Sequence, residues 1–295
     1  MADLDCVVAG DANVDLLMDG IAQLEFEKEK LVRGCGLTLG GSSAITAFNL
    51  SRMGTRVGFA GVMGKDVFGR FVEERLASAG IDLTALRRDR VEKTGITIWC
   101  QHGQRRAGMT YPGTIAGLRP ADLPEAYLKR ARHLHVGAYF LLTGFHAGAA
   151  RVFRKARRLG LTTSLDCNFD PAEKWDSGIR DVLAGIDIFL PNETEALRLT
   201  GAASVTAAAQ ELAELARIVV VKRGARGALV ATGGEIFRVP AVKARVVDAT
   251  GAGDSFNAGF LARYLHGGSI AQCAKAGAVA GAKSVGLVGG TAAFE

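Results

Sequence analysis

The 295-residue chain predicts an α/β fold: a doubly wound, mostly parallel sheet with helices on both faces, plus a small β-sheet lid. Three observations carry that prediction. Short β-branched runs alternate with helical patterns along most of the length, and the connections between them are short. Two further stretches alternate like exposed strands and carry no helix. No internal repeat, low-complexity tract or linker divides the chain, so residues 1–295 read as one domain.

The elements follow in order. "DCVVAG" (5–10) is a short apolar run without a basic leader or cleavage site, and it reads as a buried strand. "SSAITAFNLSRMG" places Ala44, Ile45, Phe48 and Met53 near one helical face and stops at Gly54. "RVGFAGV" is strand-like, and "DVFGRFVEERLASAG" is an amphipathic helix ending at Gly80. Then come the strand "HLHVGAY", a helix through "GAARVFRKARRLG", the strands "TTSLD" and "IDIFLP", a helix from "NETEALRL", and the strand "RIVVVKRG". The exceptions to this rhythm lie at 27–41 and 95–113, and they define lid segments of about 20–39 and 95–113. In a parallel sheet of this kind, ligands bind beyond the carboxyl ends of the strands.

Composition excludes several classes. The chain is 48% hydrophobic and 22% charged, which suits a globular protein, and no apolar stretch is long enough to span a membrane. Net charge is +6, but the basic residues are scattered, and "RKARR" (154–158) has the spacing of a solvated helix face rather than a nucleic-acid patch. A modest positive field suits an anionic small molecule. Five cysteines with no C-x-x-C pair predict neither a metal site nor a disulfide framework, but reduced thiols in a cytoplasm. The five histidines fit no motif and read as structural.

Phosphate cradles have recognisable sequence patterns. "GFAGVMGKD" (58–66) and "GAKS" (281–284) both fail the Walker pattern, and "GDANVD" after the first strand is no dinucleotide fingerprint. "DATGAGDSF" remains. If Gly251, Ala252 and Gly253 open the following helix, their backbone N–H groups form an anion site at the positive end of its dipole. Asp254 would then sit beside a phosphate. That placement is costly unless the carboxylate takes a proton from an attacking hydroxyl, which points to phosphoryl transfer to an alcohol.

"DATGAGDSFNAGF" closely resembles the signature of the ribokinase-like (PfkB) family of carbohydrate kinases. Further elements match in family order: "GDANVD", "LGGSSAITAFNLSRMG" (39–54), "NETE" from Asn192 to Glu195, and "VKRGARGAL" (221–229). The resemblance therefore covers essentially the whole chain. It implies that Asp254 is the catalytic base and that Gly251, Ala252 and Gly253 are the anion hole. Asp15 and Asn13 would bind substrate hydroxyls, and Gly40 and Gly41 would let a helix start approach the substrate. "SLDCNFDPAEKW" resembles a pocket-side strand end, which makes Asp166 and Asn168 substrate-side residues. Asn192 and Glu195 would hold magnesium–ATP, Glu195 through water, and the same pair also reads as a helix cap. Lys222 and Gly224 would border the nucleotide. Asp248 and Thr250 belong to a loop that binds a monovalent cation in related enzymes, so K+ is an expected activator. Many relatives form homodimers through the lid sheet.

Departures from the pattern bear on substrate. Ribokinases carry a lysine and, three positions on, an asparagine after the paired glycines, where this chain has Ser42 and Ile45. Loss of the lysine favours an unphosphorylated substrate, and Ile45 predicts an apolar pocket wall. A free sugar or polyol phosphorylated on a primary hydroxyl is the leading expectation. A nucleoside is the alternative, suited by Phe140 and Phe145 near a strand end. A catalytically silent sugar-binding protein is the third.

Overall fold

The computed structural model describes residues 2–102 and 105–295. From the N-terminus the strands are β1 (Cys6–Ala9), β2 (Asn13–Asp19), β3 (Gly34–Gly40), β4 (Val57–Gly64), β5 (Asp82–Asp89), β6 (Gly95–His102) and β7 (Arg105–Tyr111). They continue as β8 (His133–Val136), β9 (Thr162–Leu165), β10 (Ile188–Phe189), β11 (Ile218–Lys222), β12 (Ala228–Thr232) and β13 (Glu235–Val239). Helices α1 (Ser42–Arg52), α2 (Val67–Ser78), α3 (Glu125–Leu128), α4 (Thr143–His146), α5 (Ala149–Arg158) and α6 (Ile179–Leu183) fill the first two thirds. The last four are α7 (Glu193–Thr200), α8 (Val205–Ala213), α9 (Ala252–Leu265) and α10 (Ile270–Ser284).

Nine strands form one sheet in the order β13-β12-β11-β10-β9-β8-β1-β4-β5. Seven of them run parallel, from β11 to β5, and the hairpin of β12 and β13 closes one edge antiparallel. Near-continuous apolar runs such as "IVVV" suit strands covered on both faces. Successive side chains alternate between two cores. In β11, Val219 and Val221 join helices α5 to α8 on one face, while Ile218 and Val220 join α1, α2, α9 and α10 on the other. No helix among the described residues is long and apolar enough to cross a membrane.

A second sheet of four strands, β3-β2-β6-β7, is separate from the first. Strand β2 is at its centre, antiparallel to β3 and parallel to β6. The expected segment 20–39 contributes strand only from Gly34, since residues 21–33 carry none, and Asn13–Asp19 supplies the central strand instead. The reason is local chemistry. Residues 21–33 are crowded with charge, and Lys28 and Lys30 pair with Glu25 within the loop rather than across a ladder. Of the segment 95–113, residues 103 and 104 lie outside the described residues.

Phe140 and Phe145 are buried in the core beneath α5, so they pack the fold rather than face a ligand. His133 and His135 are fully buried on β8. His133 shares hydrogen bonds with Thr162 (2.7 Å) and Ser164 (2.7 Å), and His135 with Ser164 (2.8 Å). Burial lowers His133 to about 3 and His135 to about 4, so both are neutral.

Candidate active site

The carboxyl end of β1 leads into β2 through a tight passage that fixes the first part of the site. Asp11 accepts the N–H groups of Ser42 (3.0 Å) and Ser43 (2.8 Å) at the start of α1. This is carboxylate capping across the chain, favoured by the helix dipole. A Cβ on Gly40 would fall 2.3 Å from Asp15 Oδ1, and one on Gly41 would fall 2.9 Å from the Asp11 carbonyl. Both positions therefore need glycine so that α1 can start against Asn13 and Asp15. Asn13 Nδ2 donates to Asp15 Oδ1 (3.2 Å) and to Thr97 Oγ1 on β6 (3.5 Å). All three residues belong to the small sheet, whose strand β2 follows directly on β1 of the large one.

Helix α9 opens beside α1. Gly251 is its N-cap with φ 70° and ψ 8°, a left-handed conformation that glycine adopts without strain. The Ala252 N–H donates back to the Ala249 carbonyl at 3.3 Å. Among the described residues, the N–H groups of Gly253 and Asp254 make no such bond and point from the positive helix end. Of the three donors expected from the sequence, Gly251 and Gly253 make no backbone bond among the described residues and Ala252 alone is engaged, while Asp254 adds a further open N–H. Ile45 is buried, with its side chain toward Gly251 and Gly290. Asn49 donates to Ser255 Oγ and to the Gly290 carbonyl, each at 3.0 Å. Asp248 ties the two loops behind the cap, since it accepts from Thr250 N (2.9 Å), Thr250 Oγ1 (2.7 Å) and Gly289 N (2.9 Å).

The charged groups converge in front of this cap. Asp254 is 9% exposed, and burial together with the charge of Asp166 raises its pKa well above the carboxylate range, opposed by Lys222. Lys222 ends β11, and its Nζ stands 2.5 Å from Asp166 Oδ2 and 3.2 Å from Asn257 Oδ1. Burial works against the charged form of both partners. Their attraction prevails, holding Asp166 below and Lys222 above their ordinary values. Asn168 has φ 57°, and its N–H donates to Asp166 Oδ1 at 3.0 Å.

Asn192 and Glu195 form a reciprocal cap on α7. Glu195 N donates to Asn192 Oδ1 (2.9 Å), and Asn192 N donates to Glu195 Oε2 (2.8 Å). Glu195 is buried, and desolvation plus the nearby Asp166 charge raises it to about 7. A bridge between Asn192 and Lys222 links this cap to the cluster. Gly224 stands apart, on an exposed turn with open space around it. Asn257 and Asn49 are not singled out by the sequence, whereas Asp11 reads there as a capping acid, the part it takes at the start of α1. Asn257 lies three residues past Asp254, and that helical spacing was the available signal.

The donor set fits the expected groups. Among the described residues no three His, Cys, Asp or Glu side chains cluster as a metal cage. Magnesium is commonly held by one or two carboxylates, waters and substrate phosphates. Buried Glu195 and its cap partner Asn192 carry oxygen donors of the kind magnesium and its waters accept. The open N–H groups at Gly253 and Asp254 fit a phosphate.

The chain is similar to known proteins over nearly its whole length. The model of the pfkB family carbohydrate kinases matches residues 3–295. A fructokinase of Klebsiella pneumoniae is 31% identical over 86% of this chain and 82% of its own length. A nucleoside kinase of Methanothermobacter thermautotrophicus is 30% identical over 80% of this chain and 74% of its own. The structure of Arabidopsis thaliana ribokinase with ribose and ATP superposes with a TM-score of 0.83 at 24% identity, covering 99% of this chain and 96% of that one. A ribokinase-II-type Escherichia coli structure with ATP and magnesium gives 0.88 at 24% identity, with the same coverage. The glycine cap, the Asn192–Glu195 pair and the paired glycines before α1 thus occur in a chain matched end to end, and this protein belongs to the pfkB family of carbohydrate kinases, as a kinase of sugars or nucleosides.

Proposed function

We propose that the protein transfers the terminal phosphoryl group of ATP to a primary hydroxyl of a free sugar or polyol. The observation that carries this reading is the placement of Asp254, buried beside open backbone N–H groups at the start of α9. In this reading Asn13 and Asp15 hold acceptor hydroxyls under the small sheet, which covers the pocket. The acceptor hydroxyl gives its proton to Asp254 while its oxygen attacks phosphorus, and the bond to the leaving phosphate oxygen breaks. A raised pKa matches a base that must take that proton near neutral pH. The N–H groups of Gly253 and Asp254 bind the charge that develops on the phosphoryl oxygens. Bound magnesium would neutralise the phosphates, with Glu195 and Asn192 orienting its waters. Asp248 and Thr250, already tying the loops behind the cap, would hold K+. The small sheet would also carry a homodimer contact.

Nucleoside acceptors form the second reading, supported by the nucleoside kinase named above and by the 30% identical aminoimidazole riboside kinase of Salmonella typhimurium. ATP turnover across a panel of sugars, polyols and nucleosides tests both. Turnover with a free sugar or polyol supports the first reading, and turnover confined to nucleosides replaces it with the second. No turnover with any acceptor removes both.

A further inference from the structure

Lys222 is placed for more than bordering a nucleotide. Its side chain is 11% exposed and that of its partner Asp166 is 6% exposed, so this is a buried ion pair. Such pairs are retained at a desolvation cost and call for a reason beyond stability. Asn257, one turn past Asp254 on α9, accepts from Lys222 and donates to Asp166 Oδ2, which fixes the ammonium from two sides. A Cβ built on Gly253 would find Lys222 Nζ as its nearest neighbour, at 3.6 Å. The ammonium therefore faces the open side of the glycine cap.

The site around it is rich in carboxyl groups. Asp166, Glu195 and Asp254 all bear on this one ammonium. A polyanion entering beside the ionised Asp166, with the carboxyl groups of Glu195 and Asp254 alongside, meets repulsion unless a cation is already in place. An ammonium has three N–H donors, and two are engaged by Asp166 and Asn257. One donor is left for a ligand. A lysine, with a compact charge and rotatable donors, suits a group whose oxygens move during transfer.

Resting on the kinase reading above, we propose that Lys222 is a catalytic residue that binds the terminal phosphoryl group at the mouth of the glycine cap. Asp166 and Asn257 are its positioning residues. During transfer the bond from acceptor oxygen to phosphorus forms and the bond to the leaving phosphate oxygen breaks. The proton passes to Asp254, while Lys222 stays protonated throughout. The competing role is narrower: Lys222 merely neutralises Asp166.

The full-length wild type, Lys222→Met, Asp166→Asn and the Lys222→Met/Asp166→Asn double variant separate these roles. Calorimetry with Mg-ATP and with Mg-ADP, and turnover of the best acceptor, are the readouts. The proposal expects Lys222→Met and the double variant each to lose at least about tenfold in ATP affinity, with ADP affinity changed less than about threefold, and more than about a hundredfold in kcat. Should Lys222→Met not fold, the double variant, which leaves no unpaired buried charge at this pair, still supplies the measurement. Recovery of wild-type ATP affinity and kcat in the double variant overturns the proposal and leaves the kinase reading intact. A wild type that neither binds ATP nor phosphorylates any acceptor overturns both.

Discussion

Gly251 lies so close to Gly290 that a Cβ on Gly251 would fall 2.6 Å from the Gly290 Cα. Gly253, two residues on, has only the Lys222 ammonium nearby, at 3.6 Å. The two glycines of one motif are thus needed for different reasons. Gly251→Ala forces a left-handed residue against backbone and should lower stability by roughly 1–3 kcal/mol. Gly253→Ala sits in the first turn of α9, where alanine favours helix by up to about 1 kcal/mol. Its methyl group would nevertheless fill the phosphate cradle. Thermal melts and turnover on both variants check this: Gly253→Ala should melt no lower than wild type while losing about tenfold or more in kcat.

Glu195 gives a pH signature. Its carboxyl, raised to about 7 by burial and by Asp166, holds its proton more tightly folded than unfolded. Folding therefore binds a proton between the ordinary glutamate range and about 7, and stability contributed by the neutral form is lost as pH rises through that window. Glu195→Gln should match wild type below the window and become relatively more stable above it. The gain is at most about 3 kcal/mol, reduced by the loss of one cap acceptor. Chemical denaturation at several pH values checks the sign. A stability difference that does not vary with pH would remove the proton linkage.

Asp248 spends both carboxylate oxygens on the 250 and 289 backbone segments. A K+ ion at this loop should therefore act by stiffening the cap behind Gly251, raising kcat more than it changes KM. Exchange of potassium for a bulky organic cation should lower the rate several-fold. An unchanged rate would leave Asp248 with the loop-tying role alone.

The alternation of strand and helix, the two-sided cover of the main sheet and the glycine turn that opens α9 were legible because each is local in the chain. Lys222 and Asp166 are 56 residues apart and meet only because β11, β10 and β9 are neighbours. Nothing in either segment announces that partner. Strand β2 escaped notice because Asn13 and Asp15 read as a turn following β1, whereas pairing with β3 and β6 makes them extended. Phe140 and Phe145 misled in the opposite direction. Aromatic residues near a strand end suit a pocket or a core equally, and packing beneath α5 decided for the core. Ile45 is buried with its side chain against Gly251 and Gly290, a contact that the sequence of α1 alone does not reveal.

The central claim is that Asp254 takes the proton of the attacking hydroxyl. Asp254→Asn keeps size and remains compatible with the first turn of α9, while removing the proton acceptor. Loss of a general base costs typically about 10²- to 10⁴-fold in rate, or roughly 3–5 kcal/mol of barrier. ATP affinity should be retained or tighten, because an ionisable carboxyl leaves a site already crowded by Asp166 and Glu195 while the backbone N–H groups remain. Turnover and nucleotide affinity measured together on the purified variant give the direct test. The account predicts a rate at least about a hundredfold below wild type with ATP binding intact; a rate within a few-fold of wild type would contradict it and reduce Asp254 to an acidic residue in the first turn of α9.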